Sequence, residues 1–418
     1  MRKCIFLLGF CSTLLGGQLY AAQSPYAEAL EAYEAKAYDQ ALKEFQRLDK
    51  NGDAYAAFMI GTLYHRGYGV KLDRVQAFRW WLKSANLGWK NAQSAVGSAY
   101  FHGKGVEKDQ ALGCEWWRKA AEQGVMNAQY HTGYCYSEGV GFKQSDVKKF
   151  EMMLAAASQG HVRATYQVGG AYSTGRGTNK DTKKAIEYYE KAAAKGSVPA
   201  MRGLGTIFMQ RKTSEDYKQA HAWNLLAAKQ GDAIAQYHLS LAYKNGWGVE
   251  ENPASAFDWA LMAAEQNHVK STSLVAHWYG SGNGVPLDHQ KAFYWGLKGA
   301  ESGDLWSMKR VAARYFNGDG VLQSDDDSYR WYLEAAAKGD SKAQVWLGYM
   351  NVAGRSVKSN LVNGYMWYEI ASQAGNEDAE ARKNKLADRM TEEEFITSKK
   401  LAKECVAQSL KNCGSGSA

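Results

Sequence analysis

The feature that most constrains this chain is a spacing. Glycine recurs at Gly52, Gly88, Gly124, Gly160, Gly196, Gly231, Gly303, Gly339 and Gly375, with Asn267 in register, and every interval is 36 residues except one of 35. At ~150 residues per domain, 418 residues would suggest two or three domains, but a fixed internal period overrides that expectation. The same chemistry returns at the same offsets in each unit. Eight residues in lies a mostly apolar position such as Ile60, Val96, Val168 or Leu204, followed by a small residue such as Gly61, Gly97, Gly133 or Gly169. Three further on sits an aromatic, as in Tyr64, Tyr100, Tyr136 and Tyr172, until Asn351 breaks the series. A Gly-x-Gly follows in most units, and then an Ala-rich segment carries Trp80, Trp116, Trp223, Trp259, Trp295, Trp331 and Trp367 at one phase.

Offsets 8 and 12 are one helical turn apart, so they share a face of a first helix. The Gly-x-Gly stops that helix, because glycine enters the left-handed conformation freely. Asp73, Asp109, Asp181 and Asp288 stand where a second helix begins and suit its N-terminus. Trp and the following Ala pair, as in Trp116 with Ala120-Ala121, form that helix's buried stripe. A glycine inside the first helix costs ~1 kcal/mol against alanine. Its recurrence predicts that another backbone crosses there too closely for a side chain. Two helices of this size cannot bury a core alone, whereas stacked neighbours can.

The run Leu/Val-Gly-x-x-Tyr-x-x-Gly-x-Gly-Val, then Asp, then Ala-x-x-x-x-Trp-x-x-x-Ala-Ala-x-x-Gly resembles the Sel1-like repeat family, relatives of tetratricopeptide repeats. The resemblance implies an all-α fold, a right-handed superhelical solenoid of antiparallel helix pairs. Nine repeats are expected at 52–87, 88–123, 124–159, 160–195, 196–230, 231–266, 267–302, 303–338 and 339–375. Residues 23–51 would supply a tetratricopeptide-like helix pair, with Tyr38, Ala41 and Phe45 at that motif's spacing. Residues 376–413 read as two capping helices broken near Met390-Thr391, and 414–418 as a flexible tail. The fifth unit departs from the pattern with Arg211 and Thr213 in place of its loop glycines, which leaves the curvature near residues 205–220 open.

Residues 1–22 have the form of a secretory signal. Arg2 and Lys3 precede an apolar stretch from Cys4 to Leu15, and Ala21-Ala22 offers the cleavage region. About twelve apolar residues are too few for a stable membrane anchor. The expectation is an exported protein, periplasmic in a Gram-negative host, with no integral membrane segment after cleavage. Export places the remaining cysteines in an oxidising compartment. Cys114 lies ten residues before Gly124 and Cys135 eleven after it, so antiparallel helices joined at that glycine bring them to nearly the same height. A Cys114–Cys135 disulfide follows. Cys405 and Cys413 are eight apart and pair only if the chain turns back near Asn412.

No catalytic residue, cofactor site or metal site emerges. The Gly-x-Gly loops are not followed by Gly-Lys-Ser/Thr, no His-Glu-x-x-His or Cys-x-x-Cys occurs, and the body of the chain carries no Gly-x-Ser-x-Gly. His65 and His102 occupy near-equivalent positions in neighbouring units and suit a groove wall better than a shared metal. The net charge of +8 is thinly spread, and the longest like-charge runs are Asp325–Asp327 and Glu392–Glu394, so no nucleic-acid footprint is present.

What remains is surface. The resemblance implies that first helices line the concave side of the stack. Their offsets 3, 6, 10, 13 and 14 are not used for packing, and these carry the candidate partner-binding residues. In the first half they are Tyr55, Phe58, His65, Phe101, His102, Tyr130, Tyr134 and Tyr166. Later units add Tyr237, His277, Trp306, Lys309, Phe316 and Tyr349. Trp89, Trp247 and Trp346 join Trp306 outside the common Trp phase. The function expected is a non-catalytic scaffold or adaptor holding a protein partner. The resemblance also admits an immunity protein against a type VI secretion phospholipase effector, and a hydrolase of β-lactamase-like type. An envelope-assembly scaffold is a further alternative.

Overall fold

A computed structural model describes residues 25–410 and Cys413. The expected leader and tail lie outside the described residues. The described residues are helical, without a strand, and the fold class is an all-α solenoid of helix pairs. The chain divides at Ala200–Met201 into two compact units.

The first unit begins with α1 (Ala27–Glu34) and α2 (Tyr38–Asp49). Four repeats follow as α3 (Ala54–Arg66) with α4 (Arg74–Asn86), α5 (Lys90–His102) with α6 (Gln110–Glu122), α7 (Met126–Glu138) with α8 (Asp146–Ser158), and α9 (Val162–Thr174) with α10 (Thr182–Ala193). The second unit opens within α11 (Val198–Arg211), followed by α12 (Ser214–Lys229). It continues with α13 (Ala233–Asn245), α14 (Pro253–Glu265), α15 (Val269–Ser281), α16 (His289–Glu301), α17 (Leu305–Asn317), α18 (Asp325–Ala337), α19 (Ser341–Ala353) and α20 (Leu361–Gln373). It ends with α21 (Glu377–Ala387) and α22 (Glu392–Ala407). Within each unit, most helices adjacent in sequence pack against one another, and the last two, α21 and α22, both pack against α20.

One repeat shows how the sequence dictates the pair. α5 stops at Gly103, whose φ of 68° is left-handed. The Asp109 backbone N–H donates to Tyr100 O at 2.9 Å, which closes the connector, and the Asp109 carboxylate accepts from Leu112 N at 2.9 Å to cap α6. α6 ends in a double bond pattern across Gly124, with Gly124 N donating to Ala121 O and Val125 N to Ala120 O. Asp73, Asp181 and Asp288 cap their helices in the same way. In the fifth repeat Lys212 takes the left-handed conformation (φ 60°) and Thr213 caps α12 through Asp216 N. The chain there turns without loop glycines.

Two expectations need correction. The glycine inside a first helix does not meet a backbone first; it meets a side chain, which is a ring in four repeats and Met153 or Asn224 at Gly133 and Gly205. A Cβ on Gly97 would lie 2.6 Å from Trp117 Cδ1, and Gly61, Gly169 and Gly348 face Trp81, Tyr189 and Tyr368 in the same way. The close backbone crossing is at the second loop glycine, where a Cβ on Gly105 would collide with the Arg74 carbonyl. The buried stripe is also displaced by one residue. Trp116, Trp295 and Trp367 are buried, but Trp80, Trp223, Trp259 and Trp331 are only half-buried. The ring that covers the glycine is the next residue, as with Trp117, which is 2% exposed and donates Nε1–H to Ser94 O at 3.1 Å.

Successive repeats are joined by a regular edge contact. Tyr100 packs edge-on against Phe78 of the preceding repeat at 5.1 Å, and Tyr172 against Phe150 at 5.3 Å. In the second unit the same role falls to Tyr279 with Phe257 and Tyr315 with Phe293. At the junction between these two examples in the first unit the phenylalanine position is Cys114, and it is bonded to Cys135 across a Cα–Cα distance of 6.0 Å. Both cysteines are fully buried. Cys405 is bonded to Cys413, and the reversal that allows it lies at Ser409 and Leu410, both at positive φ. Buried glutamines add a polar tie. Gln129 Nε2 donates to Ala121 O, while its Oε1 accepts from Gln159 Nε2 at 2.7 Å. Gln93 and Gln123 repeat this arrangement one unit earlier.

Candidate functional site

The candidate residues fall into three groups. Tyr55 and Phe58 are partly buried against the core of the first unit. They pack with the α1–α3 core, and Tyr55 contacts the rings of Tyr26 and Trp89 at 4.8 and 5.3 Å. Lys309 is not a free cation, because its Nζ lies 2.7 Å from Asp340. These contacts leave the three less available to a partner than their offsets alone imply. His65 and His102 also sit apart in contact terms, His65 against Trp81 at 4.9 Å and His102 against Phe101 at 5.2 Å. Among the described residues no group of three or more His, Cys, Asp or Glu is placed to hold a metal ion.

The remaining candidates form ring clusters on successive first helices. In the first unit Phe101 of α5 reaches both Trp117 at 4.8 Å and Tyr134 of α7 at 6.3 Å. Tyr134 is 44% exposed. Tyr130 of α7 stacks on His161, the residue that caps α9, at 4.4 Å, and His131 stacks on Trp117 at 4.4 Å. Tyr166 stacks on Tyr189 at 5.7 Å. Burial, followed by the nearby positive potential of His161 and His102, pushes His131 down to about 4.

In the second unit Tyr237 of α13 contacts His268 at 4.9 Å, and His277 of α15 meets Trp306 of α17 edge-on at 5.9 Å. These three helices line an open groove of about 440 Å³ whose wall includes Lys244, Lys270, Arg310 and Asp304. Burial lowers the His277 pKa, and the charges of Arg310 and Lys244 lower it further. Phe316 joins Trp346 at 5.5 Å and Tyr349 at 6.2 Å, with the Arg355 guanidinium over its ring at 4.9 Å. Trp346 and Tyr349 remain more than a third exposed.

His131, His161, His268 and Arg310 were missed from sequence. His131 and Arg310 stand at offset 7, midway between offsets 3 and 10 on one helical face, so helical spacing itself would have found them. His161 and His268 stand at offset 1, the capping position, where a ring serves as neighbour to the next residue's aromatic.

Helix pairs at a fixed period, with aromatic side chains presented by successive first helices, define a repeat protein of the protein-interaction class. The Sel1 repeat model matches residues 54–89, 90–125, 127–161, 162–197, 198–232, 233–268, 270–304, 307–340 and 341–376, and the chain belongs to that family. Members of this family generally act as protein-interaction scaffolds and are typically non-catalytic.

Among solved structures the chain is similar to a protective antigen present in uropathogenic Escherichia coli strains, which displays an SLR fold. The identity is 26%, the TM-score 0.79, and the match covers 96% of this chain and 88% of that one. It is also similar to a Sel1 repeat protein from Oxalobacter formigenes, at 25% identity and TM-score 0.59, covering 75% of this chain and 94% of that one. No curated protein matches. No helix among the described residues is long and apolar enough to cross a membrane.

Proposed function

We propose that this protein is a non-catalytic scaffold that holds a partner protein on the aromatic face of its first helices. The observation that carries this reading is the contact of half-exposed rings across neighbouring repeats, Phe101 with Tyr134 in the first unit and His277 with Trp306 in the second. Aromatic anchors of this kind bury large rigid areas at low entropic cost, and truncating one often costs more than ~2 kcal/mol in an interface. The partner is met outside the inner membrane. Supporting that are the basic-then-apolar pattern of residues 1–22 and the two cysteine pairs, which belong to an oxidising compartment.

The test is retention of a periplasmic partner by the purified full chain, identified by mass spectrometry and then titrated as a pure component. Tyr130→Ala with Tyr134→Ala weakens that binding at least ~30-fold at unchanged helicity. Undiminished affinity in this double variant and in Trp306→Ala would move the binding face elsewhere. The sharper version, neutralisation of a secreted phospholipase effector, rests on the family resemblance alone. Undiminished turnover of such an effector mixed with excess chain would dismiss it.

A further inference from the structure

We propose that the pocket between α13, α15 and α17 takes an acidic, extended segment of the partner protein, its carboxylates on Lys244, Lys270 and Arg310 and its apolar side chains against Tyr237 and Trp306. The inference rests on the scaffold reading and names the chemistry of what the scaffold grips. Each cation comes from a different first helix, so the positive charge is distributed along the pocket. The pocket wall also carries one acid, Asp304, against the three cations, and the other nearby acids are paired. The Asp304 carboxylate accepts from Ser307 N at 2.8 Å and from Ser273 Oγ at 2.8 Å. Asp340 is taken by Lys309 at 2.7 Å, and Asp232 by Arg202 at 2.9 Å. Among the described residues no carboxylate lies within 4.0 Å of Lys244, Lys270 or Arg310, whereas those two engaged pairs show what nearby cations do when an acid is in reach.

The Arg310 guanidinium stands over the Trp306 ring at 5.2 Å. Stacking of this kind holds the planar fork in a fixed attitude, and a fixed fork recognises a carboxylate through two parallel bonds. The volume of about 440 Å³ exceeds what a single small anion fills and suits two or three residues of a peptide. Burial, and after it the charges of Arg310 and Lys244, favours the neutral form of His277. A peptide carboxylate entering the pocket meets a net positive wall, three cations against the one Asp304 carboxylate, while a neutral peptide gains only the ring contacts.

The experiment uses the full chain and two rhodamine-labelled octapeptides of alternating leucine with either glutamate or glutamine, read by fluorescence anisotropy. The glutamate peptide binds at least ~10-fold more tightly, and the gap narrows as salt rises from about 0.05 to about 0.5 M. Lys270→Gln and Arg310→Gln, both on exposed side chains, each weaken the glutamate peptide ~5-fold or more and leave the glutamine peptide unchanged. Lys191→Gln, in the first unit, changes neither. Equal affinity for the two peptides overturns the proposal. So does full competition by inorganic phosphate at the peptide's own concentration, which would mark a plain anion site. Native-partner binding separates this proposal from the one beneath it. A partner retained equally by wild type and by Lys270→Gln/Arg310→Gln refutes the acidic segment and leaves the scaffold intact. Failure of the whole chain to retain any protein refutes the scaffold itself.

Discussion

Replacing Gly97 by alanine sets two effects of opposite sign against each other. On helix propensity alone the change in the interior of α5 stabilises by ~1 kcal/mol. The structure reverses that sign. The new Cβ would stand 2.6 Å from Trp117 Cδ1 and 3.0 Å from the Gly113 carbonyl oxygen. Trp117 is nearly fully buried and cannot swing into solvent, so it moves within a packed core. Overpacking of that kind costs ~1–3 kcal/mol, and losing the Trp117 bond to Ser94 O adds ~1 kcal/mol. The net expectation is destabilisation of ~1–3 kcal/mol. Gly296 in α16 is the internal control. Its added Cβ meets nothing closer than Val311 Cγ2 at 3.4 Å, an ordinary contact, so Gly296→Ala stabilises by up to ~1 kcal/mol. Urea titrations followed by far-ultraviolet circular dichroism measure both. If Gly97→Ala raises the midpoint as Gly296→Ala does, the ring is not what reserves the glycine, and the packing account fails.

Three further outcomes are expected. The Cys114–Cys135 bond closes a separation of 21 residues and stabilises by ~3 kcal/mol, so reductant lowers the thermal midpoint of the wild type more than that of Cys114→Ser/Cys135→Ser. Both cysteines free to alkylation after denaturation of protein kept from reductant would end that expectation. The His131 pKa is about 4 folded against 6.5 unperturbed, so its contribution is complete above the unfolded value and is lost as pH falls from about 6.5 towards 4. That loss is at most ~2 kcal/mol between about pH 7 and pH 5, and His131→Gln flattens the stability profile over that window; an unchanged slope refutes it. Finally, purified protein does not turn over β-lactams, esters or phospholipids. Reproducible turnover abolished by one point substitution overturns the non-catalytic reading.

How much of this was legible in the sequence follows from which interactions leave a periodic trace. Repeat number and helix order were legible because the loop glycines and the Asp caps act on backbone within a few residues, and each recurs at a fixed offset. The identity of the interior contacts was not. A glycine in a helix announces that something is close, but Trp117 and a crossing backbone leave the same signature at Gly97, and only the fold distinguishes them. The glutamine tie was missed for a related reason. Gln93, Gln129, Gln236 and Gln344 share one offset, but Met, Thr and Ala occupy it elsewhere, so the position reads as merely variable until each amide is found bonded across the turn.

The binding face was half legible, and the physical cause lies in neighbouring repeats. Offsets 3, 6, 10, 13 and 14 mark which side of an isolated helix faces outward, and for α5, α7, α13, α15 and α17 they place side chains at the surface. They cannot say what the adjacent repeat lays over that side. Tyr55, at offset 3, has Tyr26 and Trp89 against it, and Lys309, at offset 6, has Asp340, so outward offsets gave one packed ring and one spent charge. Arg310, one residue beyond Lys309, has no carboxylate partner among the described residues and stands over the Trp306 ring instead. A repeat fixes the direction of each side chain. Which of them is available to a partner is decided by the departures from the repeat, and it is at those departures that specificity for a partner is written.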